Sequence, residues 1–151
     1  MFKCEKIYTL LIFLSFSIAD TPNIYINEFL ASNASTNLDS DFYSYCDWIE
    51  IYNSEDTVIN ITGYYLTDDL SDPFKFLFPD NSIIQPNSYI IIWADGENLY
   101  PGDSHINEEY VNLITSITTL HTNFKLKKSG EEIGLFNPNG DLIDSIIYQE
   151  Q

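Results

Sequence analysis

Residues 47–53 read DWIEIYN, and the alternation of their side chains decides the fold class. Asp47 and Glu50 bracket an apolar pair, as two cooperating carboxylates sometimes do. In an extended strand, however, Asp47, Ile49 and Ile51 share one face, while Trp48, Glu50 and Tyr52 share the other. The odd separation sends the two carboxylates to opposite sides, so they cannot converge on one substrate atom. The stretch reads as a strand. Trp48, Glu50 and Tyr52 are expected as cross-strand packing partners, with Trp48 and Tyr52 as an aromatic platform for a sugar ring or peptide in the competing reading.

The neighbouring segments repeat the pattern. IYINEFL (24–30), GYYLTD (63–68), FKFLF (74–78) and SYIIIWA (88–94) are short apolar runs between turn signals, and so are HTNFKL (121–126), EEIGLF (131–136) and LIDSIIY (142–148). Eight such strands in a chain of 151 residues predict an all-β fold, an antiparallel sandwich of one domain. Phe74, Phe76 and Phe78 share a face. Thr122, Phe124 and Leu126 do the same, which leaves His121, Asn123 and Lys125 on the polar side. Glu28 breaks its own strand by falling in phase with Ile24 and Ile26, and a bulge near Asn27 would release it. NPNGD (137–141) is a tight-turn signal.

Charge limits the partners. Asp and Glu number 23 against 6 lysines and no arginine, a net charge of −17. Such a surface repels phosphate backbones and anionic lipid, so nucleic acid is not an expected partner. It suits an exported protein or one that collects divalent cations. Residues 1–19 have the anatomy of a secretory signal peptide: Lys3 and Lys6, a short apolar run, then Ser17-Ile18-Ala19 before Asp20. Membrane attachment is expected only if that segment stays uncleaved. A mature domain of residues 20–151 would keep one cysteine, Cys46, and no internal disulfide.

The order INEFLASN (26–33), DWIEIYN (47–53), GYYLTDD (63–69), FLFPDNSIIQPNSYIIIWADG (76–96) and HTNFKLKKSGEEIGLFNPNGDLIDS (121–145) resembles the lamin-tail domain, particularly its secreted bacterial branch. The resemblance implies an immunoglobulin-like antiparallel β-sandwich used for interaction or attachment, with no catalytic residue to carry over and no resident cofactor. Relatives usually run further at the C-terminus, so either the last element is dispensable or the chain is a truncated piece of a longer protein; an accessory-domain fragment of an exported hydrolase is a further alternative. Residues 97–120 form a longer loop than the family commonly has. Tyr100, His105, Glu108, Glu109 and Tyr110 are its candidate contact residues for a protein or glycan partner at the cell surface.

Among chemical constellations, acidic loops stand out. Asp39 and Asp41 precede DWIE, while Asp68, Asp69 and Asp72 follow GYYL, and such clusters of oxygen donors suit calcium. A calcium-assisted carbohydrate-binding module is the alternative function. His105 and His121 lack the i, i+4 spacing or cysteine partners of a zinc motif. No nucleophile elbow or phosphate-cradling glycine loop is present.

Overall fold

A computed structural model describes residues 22–107 and 113–150; the expected signal segment lies outside them. The described residues hold twelve strands. They are β1 (Ile24–Leu30), β2 (Trp48–Asn53), β3 (Ile59–Asn60), β4 (Tyr65–Thr67), β5 (Phe76–Leu77) and β6 (Ile83–Ile84), then β7 (Ser88–Trp93), β8 (Ser104–Asn107), β9 (Leu113–Ser116), β10 (Leu120–His121), β11 (Gly130–Phe136) and β12 (Leu142–Gln149). One four-stranded sheet has the order β1-β2-β7-β10 and the other β12-β11-β4-β5, with β3-β6 and β8-β9 as two-stranded ribbons. Every pairing is antiparallel except β10 with β7. The fold is an all-β, immunoglobulin-like sandwich.

The parity of DWIEIYN positions the core. Ile49 and Ile51 join Ile24, Ile26 and Ile92 from the first sheet against Leu66, Phe76, Ile133 and Leu135 from the second, all in one buried apolar cluster. The register of β1 on β2 shifts between Ile26 and Glu28. The bulge sends Glu28 outward, and the Ile26 amide beside it donates to Asp144 of β12 at 2.8 Å, a cross-tie between the sheets.

Three expectations change. The predicted strand 121–126 shrinks to Leu120–His121, because Thr122 folds its hydroxyl onto the Phe124 carbonyl at 2.6 Å and turns the chain. The predicted strand 74–78 keeps only Phe76–Leu77; Phe74 is exposed and rests edge-on against Tyr65. Finally, 97–120 is not a plain loop. It contains the β8–β9 hairpin and a stretch where Leu99 bridges to His121, so backbone hydrogen bonds absorb most of its length.

Candidate functional site

Two features could carry function, and one wall joins them. The first is a buried cluster of acids around an imidazole. Asp39 and His121 are 0% exposed, Asp41 4% and Asp95 7%. They come from the segment between β1 and β2, the end of β7, and β10. His121 Nδ1 lies 2.7 Å from Asp95 Oδ2, and Nε2 lies 3.2 Å from Asp41 Oδ2. Asp41 also accepts from the amides of Thr118 and Thr119 at 3.0 and 2.9 Å, and from their hydroxyls at 2.7 and 2.6 Å. Asp39 Oδ1 accepts the Asp41 amide at 2.8 Å, whereas its buried Oδ2 has no hydrogen-bond partner.

The protonation of these groups follows from their surroundings. Burial pushes Asp41 upward, but the Thr119 and Thr118 donors and His121 outweigh it and hold the carboxyl below the usual range. Burial opposes charge on His121 too, yet the bond and charge of Asp95, with Asp41 and Asp39 behind, raise it above its ordinary value. Burial raises Asp39, which the Asp41 amide only partly offsets.

A pH dependence with a definite sign results. Asp41, depressed on folding, contributes stability above its ordinary value near ~3.9, lost as pH falls toward its folded value. His121, raised on folding, contributes stability below ~6.5 that disappears as pH climbs through its folded value. Asp39 is raised as well, so it too makes stability fall as pH rises. In EDTA, the urea midpoint is therefore expected to be higher at about pH 5.5 than at about pH 9, and His121→Gln should flatten that difference. Equal wild-type midpoints would contradict the assignment.

The second feature is an open sheet edge. β2 pairs with β7 along its full length, but on the other side β10 reaches only Ile92 and Trp93. Ser88 to Ile91 have no strand partner there among the described residues. The Trp93 carbonyl accepts the Thr122 amide at 2.8 Å, so odd-numbered backbone groups face this edge. By alternation, those of Tyr89 and Ile91 point the same way; the Ile91 carbonyl is taken by the Leu120 amide where β10 begins, which leaves the Ile91 amide and both groups of Tyr89 open. A groove of about 680 Å³ runs alongside, bounded by Ile83, Tyr89, Ile91, Tyr100, Thr119 and Leu120. Thr118 and Thr119 belong to both features, lining the groove and clasping Asp41.

A family model described as Lamin Tail Domain matches residues 17–150. The chain belongs to the lamin tail domain family. No curated protein matches it. The lamin tail domain is a non-catalytic immunoglobulin-like module, in keeping with the sandwich and with a site built from an edge and a clamp.

In this lamin tail domain the residues singled out from sequence are scattered. Asp39 and Asp41 enter the buried cluster, while Asp68 pairs with Lys75, Asp69 bonds Ser71 at the surface and Asp72 is exposed. Among the described residues, Asp68, Asp69 and Asp72 join no close group of three His, Cys, Asp or Glu side chains. Trp48 is 3% exposed and offers no ring face to a sugar; Tyr52 is half-buried, its ring centroid 5.6 Å from that of Tyr25. Tyr100 does line the groove, braced by stacking on Phe76 at 5.6 Å. His105 lies in β8, opposite Thr115, while Glu108, Glu109 and Tyr110 fall outside the described residues. Sequence reasoning missed Asp95, Thr118 and Thr119, and placed His121 on the surface. His121 is buried instead because β10 is covered by both β7 and the Leu99 segment.

Proposed function

We propose that this lamin tail domain is a secreted or cell-surface, non-enzymatic interaction module that takes an extended segment of a partner protein along the open edge of β7. One observation carries the reading: the amide and carbonyl of Tyr89 and the amide of Ile91, which no strand pairs on that side, border an apolar groove of about 680 Å³. That volume falls within the roughly 300–1,000 Å³ of ligand clefts. A strand added to such an edge gains main-chain hydrogen bonds, and alternate side chains gain the groove. The net charge of −17 favours a segment that carries lysine or arginine around its apolar positions. The signal-like first nineteen residues support export.

The test is a displayed peptide library panned on the full chain. Binders are expected to be extended, β-branched and basic. Ile91→Pro removes an amide that the β2 ladder does not use, so the fold should survive, whereas binding should weaken about five- to tenfold through loss of a hydrogen bond worth about 1–1.5 kcal/mol. An Ile91→Pro variant that binds as wild type, or a library yielding no binder, would sink the reading. Hydrolytic activity in the purified chain would overturn the non-enzymatic part of it.

A further inference from the structure

The acid–imidazole cluster is unbalanced in charge. Asp39, Asp41 and Asp95 are three buried carboxylates around one imidazole. The chain has no arginine, and the lysine ion pairs among the described residues go to Asp68 and Glu131. Buried charge of one sign is costly unless it is paired or coordinates a metal. The ligand atoms of Asp39, Asp41 and His121 all lie within 4.8 Å of one another. Asp39, one of the three, has a buried Oδ2 without a hydrogen-bond partner.

We propose that Asp39, Asp41 and His121 bind one divalent transition-metal cation of the zinc class, with Asp95 orienting the imidazole. The bond between Asp95 and Nδ1 at 2.7 Å fixes the ring so that Nε2 faces the two carboxylates, as in the carboxylate–histidine–metal arrangements of zinc proteins. Binding displaces any proton on Nε2 to solvent and replaces the 3.2 Å contact between Nε2 and Asp41. Asp41 keeps its amide donors from Thr118 and Thr119. Donor atoms around tetrahedral zinc stand about 3.3 Å apart, so the cluster tightens slightly around the ion. The nitrogen donor and the small donor set favour zinc over calcium, which takes about six to eight oxygens. Cys46, whose Sγ lies within 4.8 Å of the ligand atoms of Asp39 and Asp95, is the adjacent soft donor. The proposal is independent of peptide docking at β7. It assigns the cluster a resident ion that would hold the segment before β2 against β10.

The experiment strips the full chain with EDTA, then measures zinc by equilibrium dialysis with elemental analysis and thermal midpoints in zinc or calcium. One zinc per chain is expected, with a midpoint rise of roughly 5–11 °C at about a hundredfold excess over Kd, and little response to calcium. Asp39→Asn keeps the Oδ1 acceptor but removes the charge at Oδ2; it should fold, by near-ultraviolet circular dichroism, and bind zinc at least about tenfold more weakly. Three results would each overturn the site: no stoichiometric zinc on the folded wild type, equal responses to zinc and calcium, or unchanged affinity in Asp39→Asn. Should Asp39→Asn fail to fold, the wild-type stoichiometry and metal preference decide alone.

Discussion

Asp41→Ala is expected to lower stability by about 3–5 kcal/mol, the loss that follows when one partner of a buried ion pair is deleted. The carboxylate is 4% exposed and accepts from two amides, two hydroxyls and His121. Truncation takes the acceptor from all of those donors, among them the fully buried His121. It also cuts the tie between the segment before β2 and Thr118–Thr119, 77 and 78 positions away. For a domain of this size the thermal midpoint should fall by roughly 6–20 °C. Because Thr118 and Thr119 line the groove beside β7, peptide binding should weaken in the same variant. A midpoint within about 2 °C of wild type, below what 1 kcal/mol normally produces, would show that the clamp contributes little.

Gly130→Ala is expected to be nearly as damaging, for a backbone reason. Gly130 opens β11 with a φ of +99°, after a turn in which its amide donates to the Lys127 carbonyl at 3.1 Å. A Cβ there would lie 2.6 Å from the Tyr148 carbonyl oxygen and 2.8 Å from Gln149 Cα, both in the backbone of β12. No side-chain rotation relieves such a contact. The backbone penalty of about 1–2 kcal/mol adds to overpacking of about 1–3 kcal/mol, for a total of roughly 2–5 kcal/mol. Gly102→Ala is the control: its φ is +97°, but nothing lies within 4 Å of the added carbon. It should lose only the backbone part, about 1–2 kcal/mol, in urea titrations run side by side. If the two variants unfold at the same urea concentration, the close approach of β12 is not what demands glycine.

Much of the sandwich is legible in the sequence because strand parity is local. DWIEIYN separates Ile49 and Ile51, which enter the core, from Glu50, and the misfit at Glu28 announces the bulge that the register shift reveals. Local patterns fail where a partner lies far along the chain. His121 is in phase with Asn123 and Lys125, which are exposed, yet it is buried by β7 and by Asp41, 80 positions away. Asp39 and Asp41 are visible as acids, but nothing near them in sequence names Asp95 or the threonines as their neighbours. Asp68, Asp69 and Asp72 look the same on paper, and only the Lys75 pairing and surface turns distinguish them. The β8–β9 hairpin was hidden because ENLYPGDSHINEEYVNLITSITTL mixes turn residues with apolar ones and shows no sustained alternation.

The half-covered flank of β7 also bears on colloidal behaviour. An unsatisfied row of peptide groups beside apolar side chains is a template that a second copy of the chain can read as easily as a partner can. Mutual repulsion between molecules carrying −17 charges each keeps the copies apart at neutral pH. That repulsion vanishes near the isoelectric point of about 4.1. The acidic surface thus acts as a solubility device, and self-association along this edge is expected only near that pH.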